Sequence, residues 1–121
     1  MNCLFCKIIE GEIPSYKIFE DEMVIAFLDI NPASPGHTLI VPKKHDDDFT
    51  DLNSETLNHL QLVAEKLTKE LMTKLKATGC SLVINYGSTQ DIKHFHLHLI
   101  PKGHQVYQKA SIEEILAQLK K

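Results

Sequence analysis

The sequence predicts an α+β domain built on an antiparallel sheet. Five short apolar segments have the length and the flanking turn residues of strands. They occur in a mixed order with two amphipathic helical patterns and few strand–helix–strand units, an arrangement typical of α+β domains. A chain of 121 residues usually holds one hydrophobic core, so we expect a single domain over residues 1–121.

The first half of the chain is rich in predicted strands. Two apolar runs flank the acidic residues 20–22, which are suited to a hairpin turn. A third run follows the breaker-rich loop over residues 31–36 and stops at Pro42. Two further strands follow a long helix, and the last is expected to end at Pro101. The predicted strands cover residues 16–19, 23–28, 37–41, 81–85 and 94–100.

Two helices are predicted. The long one begins at Asn53 or Ser54, and Gly79 is a natural stop beyond its end. Its apolar positions repeat at spacings of three and four residues: Leu57, Leu60, Ala64, Leu67, Leu71 and Leu75. Ser111 and Glu114 match a capping box ahead of a short C-terminal helix. The apolar positions of that helix are Ile112, Ile115, Leu116 and Leu119.

The composition excludes several classes of protein. A hydrophobic fraction of 43% and a charged fraction of 24% are ordinary for a globular domain and argue against disorder. A net charge of -3 argues against a strongly basic nucleic-acid binder. No apolar run is long enough to span a membrane, and no secretory signal is expected. The odd set Cys3, Cys6 and Cys80 does not suggest a disulfide framework, so we expect a reducing cytoplasm.

Two residue counts bear on chemistry. The chain has seven histidines, and all 13 of its basic Lys and Arg positions are lysine. Arginine is the residue that most often grips phosphate with two parallel hydrogen bonds. We therefore expect any anionic substrate to be held by other groups.

The most informative segment is residues 94–100. Side chains alternate between the faces of a strand, so His94, His96 and His98 are predicted to share one face while Phe95, Leu97 and Leu99 enter the core. Same-face neighbours are about 6.6 Å apart, which separates the outer two histidines by roughly 13 Å. One metal cannot easily bind all three. Two neighbours could share a metal, or the three could have separate roles.

A second signal is the Cys3-x-x-Cys6 pair. Alone it is weak, because zinc ribbons and redox pairs both contain it and no second pair follows. Two more ligands would complete a tetrahedral zinc site. The candidates are His45, His59, His94 and His104.

These residues resemble the histidine-triad (HIT) family. The run from His94 to Pro101 is similar to the family's HxHxH motif with apolar residues between the histidines. Three further segments resemble family signatures in the right order, namely residues 5–14, 27–30 and 36–45. The resemblance covers most of residues 3–102, leaves residues 103–121 as a helical extension, and is closest to the bacterial Hint-like branch.

The resemblance implies a five-stranded protomer that pairs as a homodimer with one ten-stranded sheet. It implies hydrolysis or transfer at the α-phosphate of nucleoside phosphoramidates, aminoacyl-adenylates or dinucleoside polyphosphates. His96 matches the nucleophile, which would form a nucleotidyl-histidine intermediate. His98 and His37 match histidines that act on the phosphate. Asn85 and Gln90 match further active-site positions.

The resemblance also carries over a nucleoside site and a metal site. Asp29 matches the carboxylate that accepts both ribose hydroxyls. The apolar base pocket matches Leu4, Phe5, Ile8, Phe27 and Ile30. In zinc-bearing bacterial members the ligands match Cys3, Cys6, His45 and His94. Four protein ligands leave no open position for substrate, so we interpret the expected zinc, one per chain, as structural.

One departure from the family pattern concerns the position before the triad. Asp91 stands where the family usually has a Ser or Thr hydroxyl near the phosphate or leaving group, and a carboxylate there repels phosphate. Two rival hypotheses therefore stay open. One is a nucleotide-binding regulatory or scaffold protein with little turnover, and the other is a hydrolase with a catalytic zinc on an HxH pair.

Overall fold

The computed structural model describes residues 3–103 and 105–121, so the candidate ligand His104 lies outside the described residues. The strands are β1 (Tyr16–Glu20), β2 (Val24–Leu28), β3 (Thr38–Pro42), β4 (Gly79–Ile84) and β5 (Leu97–Lys102). The helices are α1 (Leu4–Ile9), α2 (Ser54–Leu75) and α3 (Ile112–Leu119). Short 3-10 turns occur at Phe49–Asp51, Gly87–Thr89 and Gln105–Tyr107. The predicted α+β class is confirmed.

The five strands form one antiparallel sheet in the order β1-β2-β3-β5-β4. Every residue of β2 and β3 is buried, because both faces of the sheet are covered. Directly opposed residues share a face. Ala26 and Ile40 lie on the face that α2 and α3 cover, and Phe27 and Leu39 lie on the face that α1 covers.

The helices follow the apolar pattern of the sequence. The predicted stripe of α2 packs into the main core, which also contains Phe95, Leu97, Leu99 and Ile115. The side chain of Asn53 caps α2 by accepting from the backbone N–H of Thr56 at 2.8 Å. The predicted capping box of α3 is present. The prediction for the end of α2 is wrong: Lys76 takes the left-handed cap with φ 55°, and Gly79 begins β4.

All five strands differ from the predicted ranges by one to three residues at one or both ends, and three of these differences have a clear physical cause. The ladder of β5 begins at Leu97, so His94 and His96 precede the strand. The N–H of Phe95 donates instead to the carbonyl of Asp46 at 2.7 Å, which binds this segment to the connector after β3. Pro101 lies inside β5, where it pairs with Cys80 of β4. The pairing of β5 with β3 ends at Leu99, so no N–H is needed at position 101 on the β3 side and a proline is tolerated there. Pro42 likewise belongs to β3.

Among the described residues, none of the helices is both long and apolar enough to cross a membrane.

Candidate functional site

The site begins with α1, a helix of six residues that the sequence analysis did not predict. Its cap is Cys3, whose Sγ accepts from the backbone N–H of Cys6 at 3.4 Å. Cysteine is not one of the usual capping residues, so the sequence carried no clear start signal. Phe5 anchors α1 in the second core cluster, with its ring centroid 5.7 Å from that of Phe27.

The helix brings both cysteines to two histidines from distant parts of the chain. The Nδ1 atom of His94 lies 3.3 Å from Sγ of Cys3 and 3.5 Å from Sγ of Cys6. The Nδ1 atom of His45 lies 3.2 Å from Sγ of Cys6. The four ligand atoms all lie within 4.8 Å of one another. The structure therefore brings together the four residues that the resemblance assigns to zinc.

The hydrogen bonds around this cluster fit a metal. The Nε2–H of His94 donates to the carbonyl of Pro42 at 2.8 Å, and the Nε2–H of His45 donates to Asp47 at 2.9 Å. In the neutral imidazoles these bonds leave the lone pair on Nδ1, the atom that faces the thiols and the one that a zinc ligand would use. Burial, followed by the neighbouring Cys3 thiol, raises the pKa of the Cys6 thiol to about 11. Metal binding must therefore release that proton.

Next to the cluster lies an open cleft of about 440 Å³. Its lining includes three histidines, two carboxylates and an apolar wall from α1 and β2. The expected nucleoside-binding residues that line it are Leu4, Phe5, Ile8, Phe27, Asp29 and Ile30. The expected catalytic residues that line it are His37, His96 and His98. The sequence analysis did not assign Leu39 and Ile92 to a site, and both also line the cleft.

His96 is held in one tautomer. Its Nδ1–H donates to the carbonyl of His94 at 2.8 Å, so the neutral form of the ring has its lone pair on Nε2. The ring is 6% exposed and its centroid lies 4.9 Å from that of Phe5, in an edge contact. A neutral imidazole with a fixed, unprotonated nitrogen on a cleft is suited to nucleophilic attack.

His37 and His98 form a chain of hydrogen bonds with a defined direction. The N–H of Ala33 donates to Nδ1 of His37 at 2.9 Å, so the proton of that ring is on Nε2. This Nε2–H donates to Nδ1 of His98 at 2.9 Å, so His98 in turn carries its proton on Nε2. The side-chain Nδ2 of Asn85 lies 3.3 Å from that Nε2, and turning the amide would place its oxygen where it can accept a hydrogen bond from the N–H when no ligand is bound.

His37 and His98, the two hydrogen-bonded histidines, are both neutral near pH 7. Burial, followed by the charges of His96 and His37, lowers the pKa of His98 to about 4. Burial also lowers the pKa of His37, although the charge of Asp29 opposes the shift. Their contribution to an anionic ligand is therefore a set of N–H dipoles.

Asp29 is oriented by the backbone of its own loop. The N–H of Asn31 donates to Oδ1 at 2.9 Å, and Oδ2 lies 3.7 Å from Nε2 of His37. The side chain remains 20% exposed and lines the cleft, so it can accept from a bound ligand. Ligand atoms of Asp29, His37 and His98 also lie within 4.8 Å of one another, but the facing histidine nitrogens are already joined by a hydrogen bond.

Two expected residues do not line the cleft, as far as the described residues go. Gln90 is buried, and its amide donates to the carbonyl of Asp47 in the connector. Asn85 reaches the cleft only through His98. His59 lies on α2 and pairs with Asp21 at 2.6 Å, away from the cysteine cluster.

Sequence reasoning missed the groups that orient the histidines. They are an N–H at Ala33 and carbonyls at Pro42 and His94, together with the carboxylate of Asp47. Backbone groups carry no residue-specific signal, so no pattern in the sequence could have found the first three. An acidic residue two positions after His45 was a usable signal for Asp47.

Comparison with known proteins gives a consistent result. A family model described as the HIT domain matches residues 10–105. An uncharacterized HIT-like protein of Mycoplasma genitalium is 45% identical over 103 residues, which are 84% of this chain and 73% of that protein.

Two solved structures are similar over almost the whole chain. A zinc-bound histidine triad family protein from Mycobacterium smegmatis matches with a TM-score of 0.84 and 32% identity, covering 99% of this chain and 94% of that one. A hypothetical histidine triad nucleotide-binding protein from Sulfolobus tokodaii matches with a TM-score of 0.83 and 31% identity, covering 98% and 92%.

Proposed function

The chain belongs to the HIT family, and from this premise we propose that it is a nucleotide-binding hydrolase that cleaves at the α-phosphate through a nucleotidyl-His96 intermediate. The substrates are purine nucleoside phosphoramidates, aminoacyl-adenylates or dinucleoside polyphosphates. The observation that carries the proposal is the orientation of His96, whose neutral ring has its lone pair on Nε2 in a cleft that is also lined by two further histidines and two carboxylates.

In the proposed binding mode the base, the ribose and the α-phosphate each contact a different part of the cleft. The apolar wall around Phe5 and Phe27 offers a surface for a purine ring, and the exposed oxygens of Asp29 accept from the ribose hydroxyls. The α-phosphate then lies against the histidines at the polar end of the cleft. One similar structure is named a histidine triad nucleotide-binding protein, which supports nucleotide binding in this cleft.

The chemical step begins with attack by Nε2 of His96 on phosphorus. A bond from nitrogen to phosphorus forms, and the bond to the leaving group breaks with its electron pair. The imidazole then carries a positive charge, because Nδ1 keeps its proton. The carbonyl of His94, at 2.8 Å from Nδ1, stabilises that charge.

The transition state is stabilised without arginine, which the chain lacks. The Nε2–H of His98 supplies a donor whose direction is set by His37 and, through it, by the N–H of Ala33. Preorganised donors of this kind are worth about 3–4 kcal/mol each in comparable sites. Water then attacks phosphorus and gives up one proton to solvent, the bond to Nε2 breaks with its electron pair returning to that nitrogen, and the nucleotide leaves with His96 restored.

The four-residue cysteine and histidine cluster fits structural zinc. When bound, the ion would cross-link α1, the connector after β3 and the segment before β5. His94 belongs to both sites, because its ring faces the thiols while its carbonyl accepts from His96. The cluster therefore supports the orientation of the nucleophile and takes no part in the reaction. A Zn-bound similar structure supports the assignment.

The test of the proposed activity is hydrolysis of adenosine 5′-phosphoramidate. We expect turnover by the wild type and a loss of at least about 10³-fold in kcat for His96→Ala, since the nucleophile is removed. His59→Gln is the matched control, because it changes a histidine on α2 outside the cleft and should retain activity. Turnover that survives in His96→Ala would contradict the assignment. Tight nucleotide binding without turnover by the wild type would instead favour the regulatory or scaffold hypothesis.

We also propose that the protein is a homodimer that pairs through β4. This strand is an edge of the sheet. Leu82 and Ile84, opposite Leu99 and Leu97, point to the helical face of the sheet, yet they are 55% and 43% exposed. With Leu57 on α2 they border an open apolar groove. An exposed edge strand beside an apolar groove favours pairing with a second copy.

The oligomeric state tests this second proposal. We expect a dimer mass in light scattering for the wild type and a monomer for Leu82→Glu, because the charge enters the apolar contact. Leu62→Glu is a matched control on an exposed position of α2 that does not border the groove. A monomeric wild type, or a dimeric Leu82→Glu, would contradict pairing through this surface.

A further inference from the structure

Asp91 occupies the boundary between the catalytic cleft and a second depression. It lines the cleft together with His37, His96 and His98. It also lines an adjoining open groove that passes His45 and the cysteine cluster. The two depressions share Leu4, Asp91 and Ile92 in their linings, so they adjoin at these side chains. Within the part of the chain that the structure describes, a substituent that extends from a phosphate in the cleft into the groove passes this carboxylate and the two apolar side chains.

The groove presents more negative than positive charge. Asp91 is exposed, and Asp47, which also lines the groove, has a side chain that is 63% exposed. Lys93 is the lysine of this lining, and its Nζ is turned to the carbonyl of Gly87 at 3.1 Å and to Gln90 at 3.4 Å. The groove therefore offers an anionic wall to whatever leaves the cleft.

The charge of Asp91 also extends to the phosphate end of the cleft. Although burial lowers the pKa of His98, the charges of Asp29 and Asp91 act in the opposite direction. Asp29 lines the cleft but is not part of the groove lining. Asp91 is thus the carboxylate whose field acts on the phosphate end and on the groove together.

We propose, on the basis of the proposed hydrolase function, that Asp91 selects substrates by the charge of the leaving group. It favours nucleotidyl substrates whose leaving group bears an ammonium ion and disfavours those whose leaving group is a polyphosphate. Among the substrate classes named above, amine-linked and aminoacyl-linked nucleotides are therefore preferred over dinucleoside polyphosphates. Asp91 acts on specificity, and the bond-forming step remains that of His96.

The reaction with an amine leaving group is balanced as follows. The lone pair on Nε2 of His96 forms a bond to phosphorus, and the bond from phosphorus to the amine nitrogen breaks with its electron pair. The nitrogen takes up one proton from solvent water in the open cleft and departs as a free amine. An ammonium group elsewhere on that leaving group is attracted to Asp91 both before and during departure.

The expected size of the effect follows from the exposure of the carboxylate. Two unit charges several ångströms apart near a protein surface interact by an amount equivalent to about three- to tenfold in kcat/KM. Salt screens such an interaction because the Debye length falls to about 3 Å at 1 M ionic strength.

The experiment compares three adenosine phosphoramidates with the same amide nitrogen and spacer. Their spacers end in an ammonium, an uncharged acetamide or a carboxylate. We expect kcat/KM of the wild type to fall in that order, by about three- to tenfold at each step. Asp91→Asn keeps the shape and removes the charge, so the three values should converge. Glu22→Gln removes an exposed carboxylate in the β1–β2 turn and should keep the order.

The order should also weaken when the ionic strength rises to about 1 M. An order that persists unchanged in Asp91→Asn would overturn the proposal. If the wild type hydrolyses none of the three compounds, the proposed function fails. Calorimetric binding of the same three compounds to wild type and Asp91→Asn then decides the charge preference separately, and equal affinities for the wild type would overturn it.

Discussion

The clearest consequence of the metal cluster is a dependence of stability on Cys6. Replacing Cys6 with Ser removes a thiol that lies 3.2 Å from Nδ1 of His45 and 3.5 Å from Nδ1 of His94. We expect the variant to bind zinc weakly and to unfold more readily than the wild type. The reason is that a bound ion would join three segments that are far apart in the sequence.

The size of the loss can be worked from the spacing of the ligands. Cys6 and His45 are separated by 39 positions. In the chain-entropy treatment of a cross-link, closing that loop is worth about 4 kcal/mol, and the loop of roughly fifty residues from His45 to His94 adds a similar amount. Residual structure in the unfolded chain reduces these values, so we expect a loss of about 3–6 kcal/mol, or roughly 10–25 °C in Tm.

The assay is denaturant unfolding followed by circular dichroism, with zinc content measured by elemental analysis. Cys80→Ser is the matched control, because Cys80 is a half-buried cysteine outside the cluster. We expect about one zinc per chain in the wild type and the control, and much less in Cys6→Ser. Removing zinc from the wild type with a chelator should reproduce the stability of Cys6→Ser. Equal zinc content and equal stability for Cys6→Ser and Cys80→Ser would refute the reasoning.

Three other predictions concern the cleft and its supports. The pKa of His98 is near 4 in the folded chain and about 6.5 when unfolded, so the unfolded chain binds the proton first and stability falls as pH drops from about 6.5 to 4. After discounting for the partial exposure of His98, we expect the free energy of unfolding of His98→Asn to fall by about 1–2 kcal/mol less than that of the wild type over this pH range. Denaturant unfolding at several pH values measures this difference. The same pH dependence in both proteins would argue against the prediction. Asp29→Asn should lower kcat/KM by about 10- to 100-fold and reduce the difference in kcat/KM between ribonucleotide and 2′-deoxyribonucleotide substrates. An unaltered preference for the ribonucleotide would exclude the ribose contact. Gly36→Ala should lower the free energy of unfolding, measured by thermal or denaturant unfolding, by about 2–4 kcal/mol. The reason is that φ of Gly36 is +89° and the added Cβ would lie 2.5 Å from Cδ1 of Leu75. A variant as stable as the wild type would show that this turn relaxes without cost.

The parts of the fold that could be predicted are those in which side-chain chemistry repeats. The alternation in residues 94–100 predicted that Phe95, Leu97 and Leu99 enter the core, and all three lie in it. The apolar stripe of α2 was predicted for the same reason, since burial of one face follows directly from the spacing. The five-stranded sheet and its class were also predicted and are confirmed.

The parts that could not be predicted depend on backbone partners from distant segments. The segment around Phe95 is not part of the β5 hydrogen-bond ladder, because the N–H of Phe95 donates to the carbonyl of Asp46. Neither residue type indicates that hydrogen bond. The N-cap of α1 is a cysteine, and the C-cap of α2 is a lysine with positive φ. Neither is a residue that usually occupies its cap position. Gln90 was expected in the cleft, but its amide is bonded to the carbonyl of Asp47.

The role of His96 is tested most directly by trapping the intermediate. The wild type is mixed with adenosine 5′-phosphoramidate and quenched in alkali, which preserves a bond from nitrogen to phosphorus better than acid does. Intact-mass and peptide mass spectrometry then locate the adduct. The account predicts one adenylyl group, carried by His96 and absent from His96→Ala, while His59→Gln is labelled like the wild type. An adenylyl group on another residue, or turnover with no adduct at any quench time, would contradict it.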